Sequence, residues 1–351
     1  MSTFKVEVKK ISKIYPHPNA DRLELGQVDG MTFQFVVQKG LYKEGDEVVY
    51  FPIDCLLSQE FIVHQNISNF LSGKDKNRVV TKTLRGQISQ GYVCPVQSIK
   101  DYLKVDTLPV DLTSALNITK YEPPEVMIHT GRLVRLPEAV YYYDIEGCDR
   151  YPDIVAKMMK EVVVISEKVE GSNMAVSSDI DGNISVCQHS YAIINLPDKE
   201  KHTFWAIAEN EGLVEATLKL QKDKFNGHSV TIRSEALGPK IQSNYYNFNK
   251  YTTRIFDIEI DKKAVNFAQF IELLDYVGLK DKCVPIISSG VTLETWLAGK
   301  TLQEASHGKS VLIDKLREGI VIKPEIEQFI SGFGRFFLKQ RDPIYLAGTG
   351  A

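Results

Sequence analysis

The stretch VVVISEKVEGSNMAVSS, residues 162 to 178, constrains this chain more than any other. Its apolar, β-branched opening, Val162 to Ile165, predicts a buried strand, because such side chains fit a pleated, half-buried surface. That strand ends on charge: Glu167 and Lys168, then Glu170 and Gly171, before Met174-Ala175-Val176 resumes strand character. A lysine at the end of a buried strand is costly unless a charged or chemical partner compensates it. Glycine after the carboxylate permits tight backbone geometry and leaves room for a ligand to approach. The pattern reads as a lysine meant to react; the bland alternative is an exposed Lys-Glu pair at a strand-to-turn junction.

Four further segments share this character, each a strand delivering charge where strands should be apolar. SVTIRSEALG brings Glu235 to the end of an apolar run, and RIFDIE sets Phe256 before Asp257 and Glu259. EGIVIK places Glu318 and Lys323 at the two ends of one strand, and FFLKQR puts Lys339 and Arg341 on one face by the period of two. Phe256 alone would be a core residue, Asp257 and Glu259 solvated strand ends, and Arg341 a surface partner of Asp342.

The chain of 351 residues has room for two or three cores, and its 43% hydrophobic and 25% charged residues are ordinary for a globular protein. No stretch is apolar for long enough to span a bilayer, and Met1 to Val8 begins directly with strand alternation. Five widely separated cysteines without a Cys-x-x-Cys pair predict free thiols in an intracellular protein of the cytoplasm or nucleus. The net charge of −3 excludes a polyanion-binding surface spread over the whole chain, so any such site must be a local patch.

Residues 4 to 53 alternate in period two between turn signals, which predicts a small all-β barrel. The run KIYPHPNADRLELGQVDG resembles the OB-fold modules of tRNA-binding proteins, with His17 a turn residue between prolines rather than a ligand. Arg78, Lys82 and Arg85 either lie along a phosphate backbone or decorate a solvated strand face. LNITKYEPP, residues 116 to 124, reads as a linker, giving an OB-like domain over 1–122 and a second domain over 123–351. In the second, Tyr141-Tyr142-Tyr143 is read as covering a seam between domains rather than stacking on bases. Helices at 151–161, 199–222 and 266–277 interleave with strands at 183–187, 230–235, 254–260 and 319–323. The crossovers are too irregular for a doubly wound sheet, so the class is α+β with antiparallel sheets.

With KVEGSN, RSEALG, IFDIEI, EGIVIK and FLKQR in this order, the second half resembles the nucleotidyltransferase domain of polynucleotide ligases and mRNA capping enzymes. Asn173, where DNA ligases usually carry arginine, is similar to the phage family 2 RNA ligases. Joined to the OB-like module, the whole resembles RNA ligase family 5, of the Deinococcus and Naegleria type, which reseals breaks in RNA. The resemblance implies an ATP-dependent enzyme that joins 3′-hydroxyl and 5′-phosphate RNA ends through lysyl-AMP at Lys168 and then an RNA-adenylate. It implies Glu235 and Glu318 as catalytic acids, and Lys323, Lys339 and Arg341 as neutralisers of phosphate charge. Phe256 would stack on adenine, Glu167 would contact it, and Glu170 and Asn173 would reach the ribose or metal waters. Mg²⁺ or Mn²⁺ would sit near Glu170, Glu235 and Glu318.

Elementary electrostatics supports the metal. A lysine nucleophile must be neutral, yet nearby carboxylates keep it charged unless a divalent cation reverses the local field. The expected partner is RNA, as a nicked duplex or broken strand, and the expected state a monomer. Other readings are a DNA ligase, a capping enzyme, or a structured-RNA-binding protein with a degenerate second domain. Intact Lys168, Glu235, Glu318 and Lys339 argue against degeneration. His189 falls where the family often has a Ser-x-Arg-like segment, but no arginine is present, and Arg150 has no motif to place it.

Overall fold

The computed structural model describes residues 4–121, 132–196 and 202–349, which form two compact units. The first comprises Met1–Pro123, Cys148–Val155 and Asp342–Ala351; the second comprises Pro124–Gly147 and Ala156–Arg341. The boundary expected near residue 122 and the helix start expected at 199 lie outside the described residues. Among the described residues no helix is long and apolar enough to cross a membrane. All five cysteines are free thiols.

The first unit carries an OB fold, as its alternation predicts. Its strands lie in the order Phe35–Gln38, Leu23–Val28, Glu7–Pro16, Glu47–Phe51, Tyr92–Pro95, each antiparallel to its neighbour. Glu7–Pro16 serves two partners, with a register shift between Ile11 and Lys13 where it bends from one to the other. The Glu47–Phe51 strand is apolar on both faces because both are covered. Val48 and Tyr50 join Ile11, Val28 and Phe35, while Val49 and Phe51 join Phe61, Ile99 and Leu112.

His17 is buried and structural: its Nδ1 accepts from the Asn19 amide at 3.1 Å, so Nε2 donates to the Leu84 carbonyl at 3.1 Å. Arg78, Lys82 and Arg85 do not form one cationic row. Arg78 pairs with Asp54 at 2.6 Å and lies 3.5 Å over the Tyr121 ring, and Lys82 donates to the Leu71 carbonyl. Arg85 alone is exposed, at the turn of the hairpin Lys82–Leu84/Gln87–Ser89.

The second unit holds two sheets. The seven-stranded one runs Arg132–Arg135, Tyr191–Ile194, Ile184–Cys187, Ser172–Ser178, Val230–Leu237, Thr252–Ile260, Lys263–Ala264, antiparallel throughout. The five-stranded one runs Glu146–Gly147, Leu338–Arg341, Gly319–Pro324, Val162–Lys168, Ile286–Thr292, with only the first pair parallel. The single helix expected over 199–222 is two, Thr203–Asn210 and Leu213–Asp223, parted at Gly212, whose φ of 77° suits glycine. With Phe267–Tyr276 they bury Phe204, Ile207, Leu213, Leu220 and Phe270 against Met174, Val176 and Ile232 of the larger sheet.

Candidate active site

Lys168 is the last residue of a strand in the smaller sheet, and Ser172 is the first of a strand in the larger. The chain therefore changes sheets within Val169-Glu170-Gly171. Val169 packs into the apolar cluster of Leu237, Tyr246 and Val284, with Phe256 and Ile286 against it. Gly171 is demanded by proximity: a Cβ there would lie 2.5 Å from the Ala236 carbonyl oxygen and 2.8 Å from Glu235 Cγ. Gly319 is equally constrained, since its Cβ would fall 2.2 Å from the Gln340 carbonyl oxygen.

Register then gathers the cations. Lys168 opposes Gly319, which opposes Arg341; Ser166 opposes Val321, which opposes Lys339; and Val164 opposes Lys323. Directly opposed residues project from the same face, so Lys168, Lys323, Lys339 and Arg341 share one face of the smaller sheet.

The acids meet this face at its Lys168 end. Glu318 Oε1 lies 2.7 Å from Lys168 Nζ. Glu235 stands opposite Asn173 across the Ser172–Ser178/Val230–Leu237 pair and accepts a hydrogen bond from the Gly171 amide. Burial pushes the Glu235 carboxyl up to about 8; Lys168 opposes the shift, while Glu318 and Glu170 add to it. Asn173 Oδ1 is buried without a hydrogen-bond partner. Glu170 accepts from the Ser243 hydroxyl, and its own amide donates to Tyr246 Oη at 3.0 Å. Glu167 is 1% exposed, with both oxygens engaged: Ser310 Oγ donates at 2.6 Å and the Val311 amide at 2.8 Å.

Among the described residues, no three His, Cys, Asp or Glu side chains converge as direct ligands of one metal ion. The donor set nonetheless fits a hard divalent cation held largely through waters and phosphate oxygens. Three carboxylates, Glu170, Glu235 and Glu318, gather around the single amine of Lys168, so a cation there would also relieve the repulsion that Glu318 and Glu170 add to the burial of Glu235.

Further along the cationic face, Val164, Ser166, Phe256, Val284, Ile286 and Lys323 line a cavity between the sheets. Phe256 reaches it because the pairing register shifts between Arg233 and Ser234, a bulge that re-aims its side chain. Lys323 Nζ donates to Asp257 Oδ1 at 2.6 Å and to the Phe256 carbonyl at 2.7 Å, and burial depresses its pKa. Burial works against the Asp257 charge too, but Arg335 and Lys323 outweigh it and hold that carboxyl well below the usual range. Arg335 binds both Asp257 oxygens at 2.7 and 3.0 Å and continues to Glu327. Lys339 Nζ lies 3.5 Å from Asp144.

Asp257 and Glu259 are thus buried ion-pair partners, not solvated strand ends. Arg233 donates to Glu259 at 2.7 Å, as Tyr141 does at 2.8 Å, while Tyr143 donates to Asp257 at 2.5 Å. Tyr141 and Tyr143 therefore close a charged interior within the second unit, rather than the seam the sequence suggests. His189 bonds the Tyr143 carbonyl at 2.9 Å and packs on Tyr142, 4.1 Å between ring centroids. Arg150 belongs to the first unit, where its charge acts on buried Tyr50 and Cys55. Ser243, Tyr246, Ser310 and Arg335 carry no sequence signal of their own, and for Arg233 the one available signal is its position inside an apolar run.

An RNA ligase family model matches residues 161–341, and an OB-fold domain model matches residues 5–96. No curated protein matches. Among solved structures, an apo variant of Naegleria gruberi RNA ligase is similar at 24% identity and TM-score 0.79, covering 99% of this chain and 98% of that one. A variant of the same ligase with ATP and Mn aligns at 24% identity and TM-score 0.78, over 99% of this chain and 100% of that one. The ligase with PPi aligns at 23% identity and TM-score 0.79, over 99% of each. At these identities the likeness establishes the fold.

Proposed function

Because this chain belongs to the RNA ligase family, we propose that it joins RNA 3′-hydroxyl and 5′-phosphate ends at the expense of ATP, with Lys168 as the nucleophile. One observation carries the assignment of roles: Lys168 Nζ lies 2.7 Å from Glu318 at the corner where the chain changes sheets, with Glu235 and Glu170 beside it. Lys168 attacks the α-phosphorus of ATP, a bond to nitrogen forms, and pyrophosphate leaves. The AMP then passes to an RNA 5′-phosphate, and a 3′-hydroxyl attacks that activated phosphate to expel AMP.

Glu318 is placed to hold the amine and take its proton. A divalent cation such as Mg²⁺ or Mn²⁺ among Glu170, Glu235 and Glu318 would supply the positive field that lets the amine become neutral. Lys339 and Arg341 lie on the face where phosphate charge develops, and Lys323, fixed by Asp257, closes the cavity beside Phe256. That cavity suits a planar base stacked on Phe256, and the partnerless Asn173 oxygen suits a ribose hydroxyl. A solved complex of the similar Naegleria ligase holds ATP with Mn, which agrees with this donor set. All these groups come from one unit of one chain, so the site needs no second copy to complete it, in keeping with a monomer; the substrate in this reading is a nick or a broken strand inside the cell.

Incubation with radiolabelled ATP and Mn²⁺ or Mg²⁺, followed by denaturation, tests the reading. Covalent label from ATP, absent from GTP, is the expected result. Lys168→Ala and Lys168→Arg both lose it, because guanidinium stays protonated at neutral pH. Label retained in either variant removes Lys168 from the chemistry.

A further inference from the structure

The connection between the Val230–Leu237 and Thr252–Ile260 strands carries non-glycine residues in the left-handed region: Lys240 at φ 62°, Gln242 at 47°, Asn244 at 47° and Asn247 at 54°. Such a conformation is strained for a residue other than glycine, less so for asparagine, and persists only where the surroundings over-determine it. Here they do. Gln242 donates to Ser172 Oγ at 3.3 Å, Ser243 donates to the Glu170 carboxylate, and Tyr246 Oη accepts from the Glu170 amide.

The neighbouring Tyr245 faces a different segment. Its hydroxyl donates to the Leu316 carbonyl at 2.7 Å, and Lys315 Nζ donates to its carbonyl at 3.0 Å. Lys315 accepts at its own carbonyl from the Ser310 amide at 2.8 Å, and Ser310 and Val311 hold Glu167. The bonds close into a ring: Glu167, Ser310, Lys315 and Leu316, Tyr245, Tyr246 and Ser243, Glu170. Lys168 lies on the short arc between Glu167 and Glu170. Leu316 lies two residues before Glu318, the partner of Lys168.

We propose that residues 241–248 are a positioning clamp which fixes the Lys168 turn and the Glu318 segment relative to each other, with Tyr245 and Tyr246 as its pins. The proposal deepens the reading of Lys168 as nucleophile and rests on it. Neither tyrosine touches the reacting atoms; each acts through a backbone group beside one member of the Lys168–Glu318 pair. Misplacing a nucleophile by about 1 Å costs on the order of a hundredfold in rate, so loosening one pin should cost a sizeable fraction of that.

The test is single-turnover labelling by radiolabelled ATP in Tyr245→Phe, Tyr246→Phe, Ser243→Ala and Ser243→Thr, which keep the packing but remove or retain the hydroxyl. We expect the rate at saturating ATP to fall about tenfold in both Phe variants and in Ser243→Ala, with half-saturating ATP changed less than about threefold. Ser243→Thr restores the rate. Rates within about twofold of the parent in both Phe variants, or a loss confined to half-saturating ATP, overturn the clamp. Amide exchange at Glu170 is read in parallel and needs no turnover: faster exchange in Tyr246→Phe supports the clamp, unchanged exchange overturns it. A parent protein that takes no label would sink the nucleophile assignment, while the exchange result still decides the clamp.

Discussion

The Glu235 carboxyl binds its proton more tightly in the folded chain than in the unfolded one, because burial and the neighbouring Glu318 and Glu170 outweigh Lys168. Between the ordinary glutamate value of 4.5 and about 8 the folded state therefore holds more protons than the unfolded state. Stability from this group is fully present below the lower value and is lost as pH rises through the upper one. In metal-free protein we expect the thermal midpoint to decline across that window, and Glu235→Gln to flatten the decline; an unchanged slope in the variant would contradict the assignment. The identity of this residue was legible in RSEALG, and so was that of Lys168 in KVEGSN. What single residues did not disclose is how their charges are spent. Glu167 looks free for a ligand in sequence, yet both its oxygens are taken by Ser310 and Val311, far along the chain.

Elements explain the difference. Period-two reading carried straight through Thr252–Ile260 keeps Ile255, Asp257 and Glu259 on one face. The bulge near Phe256 flips the parity, so Ile255 joins the helix-covered core while Asp257 meets Lys323 and Arg335 on the other side. The strands themselves were legible from their apolar runs, but a bulge leaves no mark in alternation, and Arg335 in its short hairpin was invisible. Arg335→Ala would leave buried Asp257 and half-buried Glu327 with one cation fewer. Breaking such a network costs about 3–5 kcal/mol, so urea unfolding should show a loss of that size. A loss below about 1 kcal/mol would mean the network is solvated in solution.

For the whole molecule, the OB fold followed by a ligase-type α+β unit was legible from the order of motifs. The return of Cys148–Val155 and Asp342–Ala351 to the first unit was not, because nothing local in a short helix says which core it will join. The helix Pro343–Thr349 packs on the Lys82–Leu84/Gln87–Ser89 hairpin and buries Tyr345 and Leu346, the latter to 2% exposure. Leu346→Ala should cost about 2–5 kcal/mol. The loss should be read as weaker amide protection in the first-unit strand Glu47–Phe51; unaltered protection there would detach this helix from that core. The same return sets an order on synthesis. A nascent chain emerging from the ribosome exposes the barrel hairpin from its first hundred residues onward, and the segment that covers it is translated only after every strand of the ligase unit. The cores of the earlier unit can form from its own residues, but its completion waits on the later one, reversing the usual vectorial sequence.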